Sequence, residues 1–126
     1  MVDQPRQSPT ILVIEDVEET RHGIEQLLAS DGYRVVLARD EDDAIAKATG
    51  VSPDLVLMSL GVDPVHLVAI AQRIRDRCEL KENVPIVLFC VATVDEGAEV
   101  RVERNIYLTR PDNFDQLRGL LSRLLR

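Results

Sequence analysis

Glu15 and Asp16 are adjacent acids that follow the apolar run ILVI. A carboxylate pair in that place can hold a divalent cation, because Mg²⁺ prefers oxygen ligands and keeps several of its waters. Asp16 can equally cap the helix that follows. Ser59 ends the stretch PDLVLMSLG, between a buried run and a glycine. A serine becomes a nucleophile only with a base beside it. No GxSxG elbow surrounds Ser59, and the two histidines, His22 and His66, fall on predicted helices or loops. Asp63 stands four residues past Ser59, Cys90 ends IVLFC, and Arg110-Pro111 follows IYLT. Taken singly, a turn serine or a surface arginine before a proline says little.

The elements that carry these residues alternate in type. ILVI (11–14) is a continuous apolar run, mostly β-branched, the pattern of a strand buried on both faces. Val17, Ile24, Leu27 and Leu28 form a helical stripe that Asp31-Gly32 stops. RVVLA (34–38), LVLM after Pro53, IVLFC after Pro85 and IYLT (106–109) read as four more strands. DDAIAKA (42–48), the stripe from Leu67 to Ile74 and the stripe from Phe114 to Leu125 read as helices. This alternation predicts an α/β domain over 11–126, a doubly wound five-stranded parallel sheet of order 2-1-3-4-5 and flavodoxin-like architecture. Residues 1–10, with two Pro and two Gln and no apolar period, are expected to be a disordered lead-in. The segment VATVDEGAEVRVERN should carry the fourth helix. Gly97 and the β-branched Val100 and Val102 oppose one, and the latter pair alternates with period 2. A short or irregular helix is expected there.

In such sheets ligands bind beyond the carboxyl ends of the strands, where the winding reverses. Glu15-Asp16, Ser59, Cys90 and Arg110 all end strands on that edge. Composition narrows the ligand. A net charge of −7 over 126 residues opposes binding to nucleic acid or anionic membrane, and two Tyr and two Phe leave no stacking platform. Cys78 and Cys90 are too few for a zinc site or a disulfide framework. No apolar run is long enough to span a membrane, and MVDQPRQSPT is not a signal peptide, so the expected location is the cytoplasm.

Together these positions resemble the response-regulator receiver domain of two-component signalling, over about residues 10–126. ILVIEDVEE resembles the first strand of that family with its acidic pair, and PDLVLMSLG the third strand, which there ends on the phosphate-accepting aspartate. VPIVLFCVA resembles the fourth strand, which normally ends on Thr or Ser, and IYLTRPDNFDQL the fifth with its Lys-Pro ending. The resemblance implies a metal site at Glu15, Asp16 and the backbone carbonyl of Gly61. It also implies a switch that couples Cys90, Tyr107 and Arg110 to the acceptor position. Tyr107 matches the aromatic that reports switching, although a plain core or edge tyrosine is the other reading.

Three of these positions depart from the pattern. Ser59 cannot form an acyl phosphate, Cys90 offers a thiol where a hydroxyl is usual, and Arg110 replaces lysine with a planar fork. The expected function is therefore a phosphorylation-independent receiver, without enzymatic activity, signalling through contacts with a protein partner or with itself. Mg²⁺ binding is expected to be vestigial, with no other cofactor, and Arg110 is expected to bridge Glu15 and Asp16 in place of the metal. Two alternatives stand beside this. One is an active receiver with Asp63 as acceptor, the other a nucleotide- or flavin-binding relative, which the acidic, glycine-free EDVEET loop opposes.

Overall fold

The computed structural model describes residues 8–89 and 91–125. In chain order these form β1 (Thr10–Glu15), α1 (Glu18–Ser30), β2 (Arg34–Ala38), α2 (Glu41–Ala48), β3 (Leu55–Ser59) and α3 (Pro64–Arg77). Then come β4 (Ile86–Leu88), β5 (Glu99–Val102), a 3-10 turn (Glu103–Asn105), β6 (Ile106–Thr109) and α4 (Phe114–Leu124). Three helices start on a side-chain cap: Asp40, Asp63 and Asn113 accept from the amides of Asp43, His66 and Gln116. α1 has no such cap, but Glu18 and Glu19 in its first turn complement the helix dipole. It stops at Gly32, whose φ of 93° suits a residue without Cβ and whose amide donates to the Ala29 carbonyl at 3.0 Å.

The sheet order is β2-β1-β3-β4-β6-β5. β1 pairs in parallel with both β2 and β3, and β4 joins β3 to β6, also in parallel. Along these strands alternate residues serve two apolar layers. Leu12, Ile14, Val56, Met58, Ile86 and Leu88 pack with Ala44 and Ala48 of α2 and with Leu67, Ala71 and Ile74 of α3. Ile11, Val13, Leu55, Leu57 and Val87 pack with Ile24 and Leu28 of α1 and with Leu117, Leu120 and Leu121 of α4. Helices cover both faces, which is why the central strands are apolar at every position. The doubly wound architecture predicted from the alternation is the one observed, and its five parallel strands keep the order expected of them.

Between β4 and β6 the chain differs from expectation. No α-helix forms there among the described residues. Glu99–Val102 instead adds a sixth strand, antiparallel to β6, with Val100 opposite Leu108 and Val102 opposite Ile106. The reason is local. Val100 and Val102 favour extended backbone, and Gly97 takes a φ of 82° in the preceding turn. Two smaller differences sit at the ends of elements. Thr10, counted with the lead-in, opens β1, and its amide donates to Asp54 Oδ2 at 2.7 Å. β4 ends at Leu88. Residues 1–7 of the expected lead-in, and Cys90, lie outside the described residues.

Candidate functional site

The carboxyl ends of β1 and β3 meet at the point where the winding reverses, and the parallel register sets Glu15 directly across from Ser59. Both have the odd parity of the α1–α4 layer. Glu15 is only 4% exposed. Its Oε1 accepts from the Val17 amide at 3.2 Å. Burial pushes the Glu15 carboxyl above its usual range, and the Asp16 charge pushes the same way; the Val17 amide and the Ser59 hydroxyl act in the opposite sense. Asp16 turns out of the strand and is exposed, and its Oδ2 accepts from the Gly61 amide at 3.3 Å. The two acids therefore point into different surroundings.

The loop after β3 closes one side of a cavity of about 220 Å³, lined by Ser59, Leu60, Val62, Asp63, Pro64, Leu67, Phe89, Val91 and Ala92. Most of this lining is apolar. Asp63 is committed to α3: Oδ1 accepts from the His66 amide at 2.9 Å and Oδ2 lies 3.8 Å from His66 Nδ1. Pro64 then supplies the first helical residue, where a missing amide hydrogen costs nothing.

Arg110 does not sit as expected. Its side chain is exposed, and among the described residues no ion pair joins it to Glu15 or Asp16. Its backbone serves the chain instead, accepting from the Gly97 amide at 2.6 Å and donating to the Ala98 carbonyl at 3.2 Å. The extra strand accounts for this, because Arg110 is held at the root of the β5–β6 hairpin. The cation found near the acids is Arg21 of α1, whose Nη1 donates to the Glu15 carbonyl at 2.8 Å. Sequence reasoning passed over it. The available signal was a basic residue in the second turn of the helix that leaves the acidic pair.

Tyr107 is half-buried against the α1–α4 layer, and the Arg101 guanidinium of β5 lies 5.8 Å from its ring centroid. Thr109, beside Arg110, is buried and donates from Oγ1 to the Leu88 carbonyl at 3.0 Å. The structure thus brings Glu15, Asp16, Gly61 and Ser59 to one place, leaves Arg110 and Tyr107 with the hairpin, and does not describe Cys90.

The donor set fits a divalent cation poorly. Mg²⁺ demands near-octahedral oxygen geometry and is usually anchored by one or two ionised carboxylates, with waters filling the remaining positions. Here one carboxyl is buried with its charged form disfavoured, the other is turned to the Gly61 amide, and the third position is a hydroxyl. Among the described residues no three His, Cys, Asp or Glu side chains cluster closely enough to hold a metal ion.

The sequence model of the response regulator receiver domain matches residues 11–121. The transcriptional regulatory protein KdpE of Staphylococcus aureus is 28% identical over 117 residues, covering 86% of this chain and 46% of that protein. The chain spans about half the length of the curated relatives it matches. The receiver domain of a sensor histidine kinase from Pseudomonas aeruginosa PAO1, solved with magnesium in its active-site cleft, is 26% identical. It superposes with a TM-score of 0.67 over 94% of this chain and 98% of that one. The complex of histidine kinase ThkA with response regulator TrrA gives a TM-score of 0.71 at 22% identity, covering 94% of this chain and 99% of that chain, a likeness of fold.

Proposed function

The chain belongs to the response regulator receiver domain family, and from that premise we propose that it is a receiver which signals through protein contacts without accepting a phosphoryl group. One observation carries this reading. Ser59 closes β3 opposite Glu15, at the position where acyl-phosphate chemistry needs a carboxylate. Among the described residues a hydroxyl there has no base beside it: its neighbour Glu15 is buried with its charged form disfavoured, and His66 in the first turn of α3 faces Asp63. Phosphoryl transfer is catalysed almost wholly by positioning and charge stabilisation. In this site the acceptor is lost, the donor set is poor for metal, and Arg110 serves the hairpin. Such a domain rests in one conformation and offers a fixed surface to its partner, rather than two states for phosphate to choose between.

Asp63 as a substitute acceptor is disfavoured by its place. A carboxylate that caps α3 must leave the His66 amide before it can attack, and in-line geometry is sensitive to displacements of about an ångström. The absence of enzymatic activity and a cytoplasmic location belong to the same proposal; no helix among the described residues is long and apolar enough to cross a membrane. Incubation with a small-molecule phosphodonor and Mg²⁺, followed by intact-mass spectrometry, tests the reading. The expected result is an unmodified chain. A stoichiometric phosphoryl adduct, mapped by digestion to Asp63 or any other carboxylate, would overturn it.

A further inference from the structure

The sheet ends in β5, which has β6 on one side and no strand on the other among the described residues. The direction of its backbone groups follows from the ladder. The Arg110 amide donates to the Ala98 carbonyl, and bonded and non-bonded pairs alternate along an antiparallel pair. In the observed register Val100 and Val102 therefore bond to β6, while the amides and carbonyls of Glu99 and Arg101 face the open edge. Natural edges are commonly blunted by like charge or proline. This one carries Glu99 and Arg101, of opposite sign and both exposed, flanking a Val100 that is 48% exposed.

That pattern is complementary to itself. Laid antiparallel on a second copy with Val100 opposite Val100, the strand sets Glu99 of each copy against Arg101 of the other. The outward backbone groups then exchange about four hydrogen bonds, two for each Glu–Arg pair. Opposite charges directly across a strand pair attract, and like charges repel. Glu99 also pairs with Arg123 of α4 at 2.8 Å, and a carboxylate has acceptor sites for both guanidinium groups. Sliding the register by two residues would set Arg101 against Arg101 in one direction and Glu99 against Glu99 in the other. A longer slide in the first direction needs Glu103 in the strand, but Glu103 has already entered the 3-10 turn. We propose that β5 is a homotypic edge: two copies of this chain join through Glu99–Val102 into one continuous sheet, with Glu99 paired to Arg101 in both directions. On the opposite face Val100 meets Val100 and extends the apolar surface of Val102 and Leu108, which the α2–α3 layer covers in part.

This pairing deepens the contact-based reading by naming a partner, and rests on it only in that sense, since no phosphoryl acceptor takes part. A short two-strand joint implies weak association, with a dissociation constant on the order of 100 μM. Sedimentation velocity of the wild-type chain across that concentration range should show a monomer–dimer equilibrium. Glu99→Arg and Arg101→Glu should each leave a monomer. An equimolar mixture of the two variants should dimerise again, because two basic positions on one copy then face two acidic positions on the other. If either variant fails to fold, amide hydrogen exchange on the wild type replaces that arm. Raising the concentration should slow exchange at Glu99 and Arg101 and leave Val100 and Val102 unchanged. A chain monomeric throughout, or a dimer indifferent to both charge reversals or without slowed exchange at Glu99 and Arg101, would overturn the proposal. A phosphoryl adduct in the labelling experiment would overturn the acceptor-free reading and leave this result untouched.

Discussion

At the scale of single residues, Glu15 is the group whose chemistry the fold has altered most. Burial holds its carboxyl above the usual range, so folding disfavours its charged form. The sign follows from linkage. The stabilising contribution of such a group is complete below its unfolded pKa and is lost as pH rises through the folded value. Glu15→Gln keeps an oxygen for the Val17 amide and removes the charge. At pH 7 the variant should be more stable than wild type by about 1 kcal/mol in urea unfolding. The gap should close as the pH falls below the range of an ordinary carboxyl, where the group is protonated in the folded and unfolded chain alike. A variant less stable than wild type at pH 7 would mean that the charge is held favourably. Arg110 makes the opposite case: its side chain is exposed, and the bonds it makes to Gly97 and Ala98 are backbone bonds that alanine retains. Arg110→Ala should change stability by less than about 0.5 kcal/mol by the same measurement, whereas a salt-bridged arginine would cost several times more.

At the scale of elements, the β5–β6 hairpin replaces a helix, and its turn stores the strain. Arg104 and Asn105 both take left-handed backbone, with φ of 60° and 59°. Asn tolerates that region and a β-branched residue does not. Asn105→Val should therefore destabilise by about 1–2 kcal/mol in thermal or urea unfolding, and Asn105→Gly by clearly less, although both lose the bond from Nδ2 to the Glu82 carbonyl. Equal losses would show that the side-chain bond, not the backbone, decides. Arg104 anchors the same turn to the end of α3 through Asp76 at 2.8 Å and to Glu82 at 3.1 Å. The alternation of apolar runs made the other elements legible, since β1, β3 and α3 carry unbroken patterns. The hairpin was half legible: period 2 at Val100 and Val102 pointed to a strand, but the repeating βα order argued for a helix, and the local signal proved the better guide. In α1 the stripe was read too widely, because Leu27 and Val17 stay exposed and only Ile24 and Leu28 reach the core. The approach of Arg21 to Glu15, and the turning away of Arg110, depend on side-chain reach across elements, which spacing along a chain does not encode.

At the scale of the whole molecule, a doubly wound sheet brings Glu15 and Ser59 together at its reversal point, and the added strand moves Arg110 and Tyr107 into a hairpin of their own. In a switching receiver, the acceptor site and the strand that carries the aromatic must have two joint arrangements that phosphate can bias. Here Tyr107 is held between the α1–α4 layer and the Arg101 guanidinium. The acceptor position has no carboxylate to receive the bias. The domain should therefore occupy one state whatever phosphodonor or metal it meets. The two-dimensional amide NMR spectrum of the isotope-labelled chain, recorded at one fixed protein concentration before and after addition of Mg²⁺ and a small-molecule phosphodonor, reads this out residue by residue. The predicted result is an unchanged spectrum at Ser59, Gly61, Tyr107 and the β5 strand. Concerted shifts linking Ser59 to Tyr107 would contradict it.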